Sequence, residues 1–231
     1  MDNLSEIKVL TFDVFGTILD LGGSLTPFIA DFLKNKGASV GAERFWEQWR
    51  ARQRIEQYQD TIMMLGHGGY LETSRRACVY TLALHHIPAS TDEVADLMSA
   101  WRELKPFPEV VGALGRLRDR FKLVVLSNGE PEFLAHLTTN RIGHAFDDVI
   151  SVNVFGAFKP HPSVYRGAAR RLGHDVNECL MVSSNSFDVV GARACGYRAA
   201  FVDRYGFPYE DTAFRPDVVV SDFTGLTEAL L

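Results

Sequence analysis

Three apolar runs in this sequence each break off into polar residues, and those residues have the types that nucleophilic chemistry needs. The run IKVLTF ends in Asp13, with Gly16 and Thr17 close behind. The run LVVL ends in Ser127, Asn128 and Gly129. The run LMV ends in Ser183, Ser184 and Asn185, with Asp188 following. A carboxylate straight after a buried strand is costly unless it is paired or hydrogen-bonded. Lys159, in the loop GAFKPHP, is a candidate counter-charge for Asp13. An aspartate beside a lysine stays ionised, and an ionised aspartate can act as a nucleophile. Ser127, Asn128 and the backbone N–H groups after them can cradle an anion at a helix N-terminus. Ser183, Asn185 and Asp188 together can hold a water.

Each of these residues also has a plainer explanation. Asp13 can open a turn, with Gly16 supplying backbone freedom. Ser127 and Asn128 can cap a helix, and Asp188 can complement a helix dipole. Lys159 can be an ordinary surface lysine. Arg50 follows Trp49 and lies four residues after Trp46, so it can be solvated or stacked on those rings. Tyr165 can be core, as most of the 16 phenylalanines must be. The common placement of the polar groups weighs against these explanations. Parallel strands would gather the three run ends at one edge of a sheet, where α/β proteins bind ligands.

The elements needed for that placement are legible. Strands are predicted over residues 7–12, 123–127, 149–151, 180–183, 199–202 and 218–220. Helical patterns lie between most of them, over residues 130–140, 162–172 and 187–195, with Gly173 and Gly196 just past two of them. Alternating strands and helices predict a parallel sheet covered on both faces. Residues 25–36, 42–58, 69–86 and 91–104 all have helical patterns and no comparable strand between them, and Ser90 and Glu93 fit a capping box. The expected organisation is therefore a Rossmann-like α/β core of residues 1–20 and 106–231, interrupted by a helical cap at 21–105. The prolines of KPFPEV mark the return hinge.

The chain has 231 residues, 46% of them hydrophobic and 23% charged, within the globular range. A net charge of −5 leaves no basic footprint for nucleic acid. No apolar run is long enough for a membrane helix, and the N-terminal residues lack the basic flank and apolar core of a signal peptide. Three cysteines without a metal or redox pattern fit a reducing, cytoplasmic setting. The seven histidines have no ligand spacing.

Taken together, FDVFGTILD, LSNG, FKPHPSVY and VSSNSFDVVGA, in that order, resemble the haloacid dehalogenase superfamily. The stretch WRARQ resembles a cap-helix motif of its type II L-2-haloacid dehalogenase branch. In the superfamily's phosphatases, a second Asp stands two positions after the nucleophile and a Gly-Asp pair in the fourth motif helps hold magnesium; here Phe15 and Ser183-Ser184 stand there. The resemblance implies metal-independent hydrolysis of a small 2-halo carboxylic acid, with no cofactor, releasing a 2-hydroxy acid and halide through an aspartyl ester. It assigns Asp13 as nucleophile, Lys159 as its orienting cation and Asp188 as the activator of water placed by Thr17, Ser183 and Asn185. Ser127 and the Asn128 N–H would take the substrate carboxylate, Arg50 and the Asn128 amide the halide. Phe15 and Phe187 would shape the pocket, and Tyr165 would support it. A homodimer is expected from many relatives. The alternatives are a hydrolase of another carboxylated electrophile such as L-azetidine-2-carboxylate, a magnesium phosphatase, or a catalytically silent binding protein.

Overall fold

A computed structural model describes residues 4–231; residues 1–3, to which the N-terminal expectation extends, lie outside the described residues. The strands are β1 (Val9–Phe12), β2 (Leu19–Asp20), β3 (Lys105–Pro106), β4 (Lys122–Ser127), β5 (Asp148–Ser151), β6 (Cys179–Ser183), β7 (Arg198–Val202) and β8 (Val218–Val220). The helices are α1 (Leu21–Asn35), α2 (Ala42–Ile62), α3 (Tyr70–Leu84), α4 (Thr91–Ser99), α5 (Val110–Leu117), α6 (Pro131–His136), α7 (Pro162–Leu172), α8 (Ser186–Ala194) and α9 (Phe223–Leu230). Six strands form one parallel sheet in the order β5-β4-β1-β6-β7-β8. The chain builds outward from β1 through β4 and β5, then returns to β6 on the other side. The carboxyl ends of β4, β1 and β6 therefore lie side by side at the reversal point, where open α/β sheets form a ligand crevice.

Both sheet faces are buried, which is why the strands read as continuous apolar runs. Leu10, Phe12, Leu123, Val125, Leu180 and Val182 join one core with the helices of the insert. Val9, Val124, Leu126 and Met181 point the other way, into a second core with Val164 and Ala168 of α7 and Val189 and Ala192 of α8.

The predicted strands all form, with bounds that shift by a residue or two. The capping box at Ser90 and Glu93 forms, but α4 stops at Ser99 and a 3-10 turn carries the chain over Ala100–Glu103. After α6 the chain continues as a π-helical turn over Leu137–Ile142. Helices α5 and α9, which pack together, were not expected. The two ends of the helical insert meet in an unpredicted ladder that pairs Leu19 with Pro106 and Asp20 with Lys105. Asp20 also caps α1 through Gly23 N at 2.9 Å, and Ser24 Oγ accepts from Lys105 N at 3.0 Å. Among the described residues, no helix is long and apolar enough to cross a membrane.

The longest helix, α2, is fixed by Trp49, whose indole donates to Ser74 O at 2.7 Å and packs edge-on against Trp46 and Trp101. Arg50, Gln53, Arg54 and Gln57 recur on one face of this helix. Gln57 and Arg54 meet Asn128 and Asn185 at the ends of β4 and β6, so that face covers the crevice.

Gly191 of α8 allows a close approach of the Lys159 loop and α7 behind it. A Cβ there would lie 2.5 Å from Pro160 Cβ and 2.9 Å from the Tyr165 hydroxyl. Gly191→Ala is expected to cost about 1–3 kcal/mol, the usual range for overpacking, seen as a Tm lowered by several degrees. Gly112→Ala, in α5, meets nothing within 4 Å and serves as the control, expected to hold or raise the Tm. Thermal denaturation of both variants checks this; equal Tm values would contradict it.

Candidate active site

One ammonium group organises the crevice. Lys159 Nζ donates to Asp13 Oδ1 at 2.8 Å, to Asp188 Oδ2 at 2.8 Å and to the carbonyl of Leu126 at 2.9 Å. Its three donors are thus all used, and the residue is 2% exposed. Burial works to lower its pKa, but Asp13 and Asp188 outweigh burial and the pKa rises. Burial raises the Asp188 carboxyl above its ordinary range, with Lys159 opposing and Asp13 adding. Tyr165 donates to Asp188 Oδ1 at 2.6 Å. Burial and then Asp188 hold its phenol pKa well above the usual value, so it remains a donor.

Asp13 stands directly after β1, its backbone N–H bonded to Val182 O at 3.0 Å. Its Oδ2 accepts from Thr17 Oγ1 and from Asn185 Nδ2, each at 2.8 Å. Thr17 Oγ1 in turn accepts from Ser184 N at 2.9 Å. Asn185 also donates to Phe15 O at 3.2 Å, and its own N–H is held by Ser183 Oγ at 3.1 Å. Oδ2 is therefore saturated, whereas Oδ1 has one donor and keeps a lone pair.

At the end of β4, the Ser127 hydroxyl accepts from Gly129 N at 3.3 Å. Asn128 bridges core and insert: its Oδ1 accepts from Lys159 N at 2.9 Å, and its Nδ2 donates to Gln57 Oε1 at 3.3 Å. His67 Nε2 donates to the Asn128 carbonyl at 2.7 Å, while its ring lies tilted against Phe158, centroids 4.1 Å apart. Burial lowers the His67 pKa, so this ring is neutral near pH 7. Glu130 caps the insert from the core side by accepting from Leu71 N at 2.9 Å.

The wall opposite the strand ends comes from α2 and the start of α3. Arg50 donates to Gln53 Oε1 at 2.9 Å and to the Tyr70 hydroxyl at 3.4 Å. Tyr70 lies flat on Phe15, with ring centroids 3.9 Å apart, so a hydroxyl stands beside the phenylalanine. Phe187 meets Tyr58 edge-on at 6.0 Å. A cavity of about 310 Å³ is lined by Tyr58, Thr61, Ile62, Phe158 and Lys159.

The structure thus gathers Asp13, Thr17, Lys159, Ser183, Asn185, Asp188 and Tyr165 into one hydrogen-bonded set, joined to Asn128 by Lys159. Ser127 lies at the adjoining strand end. Arg50 faces the set from the insert, where its hydrogen bonds among the described residues go to Gln53 and Tyr70. Tyr165 is fully buried and touches Asp188, so it can orient that carboxylate but not line a pocket. Gln53, Arg54, Gln57, Tyr70, His67 and Glu130 stand at the site although the sequence motifs assign them no role. The spacing of polar residues along WRARQRIEQ, at i, i+3, i+4 and i+7, was the available signal.

The chain is also similar to known proteins. A family model for haloacid dehalogenase-like hydrolases matches residues 7–196. The chain is 32% identical to haloacetate dehalogenase H-2 of Moraxella sp. (strain B), over 94% of this chain and 95% of that one. It is 34% identical to an (S)-2-haloacid dehalogenase of Xanthobacter autotrophicus, over 86% and 76% of the two chains. A solved structure of L-2-haloacid dehalogenase from X. autotrophicus with chloropropionic acid covalently bound superposes with a TM-score of 0.85 at 29% identity, covering 97% of this chain and 98% of that one.

Replacing Lys159 with Met would keep the volume and leave two buried carboxylates without their cation. Lys159→Met is expected to lose about 3–5 kcal/mol at neutral pH, as when one partner of a buried ion pair is removed. Carboxyl groups held above their unfolded pKa destabilise a protein when charged and cease to do so once protonated. The deficit relative to the parent should therefore shrink as the pH falls from 7 to 5, as urea denaturation at both values would report. A deficit independent of pH would contradict the electrostatic account.

Proposed function

The chain belongs to the haloacid dehalogenase-like hydrolases, and on that premise we propose that it hydrolyses the carbon–halogen bond of small L-2-halo carboxylic acids. The observation that carries this proposal is the Lys159 ammonium lodged between Asp13 and Asp188, together with a stacked phenylalanine at position 15. The space between two carboxylates, where a metal ion would find hard oxygen ligands, is filled by a fixed side-chain cation. No acid at position 15 stands ready to protonate a leaving group. Halide departs without a proton, so Phe15, together with Ser184 where the phosphatases carry a magnesium-holding Asp, fits dehalogenation and disfavours phosphoryl transfer. Metal-independence is part of the proposal.

Asp13 Oδ1 attacks the carbon that bears the halogen. The carbon–oxygen bond forms as the carbon–halogen bond breaks, and the halide leaves with the electron pair, inverting the carbon. Ser127 and the Asn128 N–H hold the substrate carboxylate. Arg50 and the Asn128 amide receive the halide, placing positive charge where negative charge develops. A water then gives a proton to Asp188 and adds to Cγ of the Asp13 ester. The bond from Cγ to the substrate oxygen breaks as the proton on Asp188 passes to that oxygen, releasing the 2-hydroxy acid and restoring both carboxylates. Thr17 and Asn185 keep Asp13 from rotating during both steps, and Tyr165 holds Asp188. The three buried free cysteines fit a cytoplasmic enzyme.

Chloride release from L- and D-2-chloropropionate, with and without EDTA and beside p-nitrophenyl phosphate, tests the proposal. EDTA-resistant release from the L-acid alone is expected, and Asp13→Asn should abolish it. Magnesium-dependent phosphate release without chloride would overturn the proposal. In a single turnover in H2¹⁸O, label should enter Asp13 itself, read by mass spectrometry of its peptide. Because burial raises the Asp188 carboxyl, the acid limb of the rate profile should lie above the ordinary aspartate value of about 4; a limb at or below that value would remove Asp188 from the role of base.

A further inference from the structure

We propose that Arg54, which neither the motifs nor the reaction above employs, is a second anion-binding residue of this site and fits the enzyme to 2-halo dicarboxylic acids. This rests on the dehalogenase reading and names the substrate class within it. Arg54 Nη2 donates to Asn185 Oδ1 at 3.1 Å, while the other end of the same amide donates to Asp13. Its guanidinium therefore stands one amide group away from the nucleophile.

Among the described residues no carboxylate is paired with this cation, and Asp13 acts on it only at longer range. Its partners are an amide oxygen and the ring of Phe187, whose centroid lies 5.5 Å from the guanidinium carbon. Its Nε is buried with no hydrogen-bond partner among the described residues. One helical turn away, Arg50 is held by a glutamine and a tyrosine, also without a carboxylate. Like charges at this spacing repel. Burial first, and Arg50 next, push the Arg54 pKa down to about 10, which leaves it charged at neutral pH. A half-buried pair of unmatched guanidiniums is costly for folding alone. Arg50 is matched by halide as it leaves; Arg54 has no counterpart in the turnover of a monocarboxylate.

Strand order fixes the geometry of the second anion. The Ser127–Asn128 cradle follows β4, Asn185 and its Arg54 partner follow β6, and Asp13 follows β1 between them. Two strand spacings cover about 10 Å. A hydrogen bond of about 3 Å at each end leaves about 4 Å, roughly the separation of the carboxyl groups in a four-carbon diacid. Such a substrate would place one carboxylate over β4, the other over β6 and its halogen-bearing carbon over Asp13. The step is the same: the Asp13 oxygen displaces halide, and water at Cγ releases the 2-hydroxy diacid.

The test compares the parent enzyme with Arg54→Gln and Arg54→Lys. Chloride release is measured from L-2-chlorosuccinate and L-2-chloropropionate, and binding of the products D-malate and D-lactate by calorimetry. Arg54→Gln is expected to lower the ratio of kcat/KM for the diacid over the monoacid at least tenfold, through KM. It should weaken malate binding at least tenfold more than lactate binding, with Arg54→Lys restoring part of both. A ratio unchanged by the substitution, both substrates falling alike, would reduce Arg54 to a positioning residue for Asn185 and overturn the proposal. Arg54-dependent malate binding without chloride from either acid would uphold the anion site while overturning the dehalogenase reading.

Discussion

The site depends on a single buried ammonium shared by two carboxylates. Lys159 bonds Asp13, Asp188 and a strand carbonyl with nearly no solvent contact. Without it, two negative charges would face each other in a low dielectric, which no protein interior tolerates cheaply. With it, one carboxylate can stay poised to attack carbon while the second is held beside it to activate water. The fold serves this arrangement. Parallel strands β1 and β6 bring Asp13 and the Asp188 helix to one edge, and the Lys159 loop is tied down by Asn128 from β4.

Much of this was legible because the residues involved break a strong pattern. Continuous apolar runs signal strands buried on both faces, so a sudden Asp13, Ser127 or Ser183 stands out. Gly173 and Gly196 adopt positive φ just past their helices, as their positions indicated. Other parts carried no such contrast. Helices α5 and α9 have eight residues each, and Gly112, Gly115 and Gly225 dilute their periodicity. The ladder between β2 and β3 has two rungs, too short for any alternation to show. Arg54 was hidden for a different reason. An arginine four residues after another on a polar helix face looks like solvated surface, and only the tertiary position of α2 turns that face inward.

The insert contributes more than cover. Tyr70 stacks on Phe15, His67 holds the Asn128 carbonyl and Leu71 N is capped by Glu130. Each contact joins a residue of the insert to a strand end that bears a site residue. The polar groups of α2 then complete a pocket whose other half is sheet.

The small ladder that pairs Leu19 with Pro106 and Asp20 with Lys105 has a wider consequence. Everything between those rungs leaves and rejoins the sheet at one spot, so a change in the length of the insert need not shift the register of β1 against β4. Mutations on the faces of the insert's helices that do not meet Asn128, Asn185 or Phe15 can drift without disturbing the alignment of Asp13 with Lys159. A lineage built this way can try new pocket walls over an unchanged reaction centre, and its chemistry and its choice of substrate can evolve at separate rates.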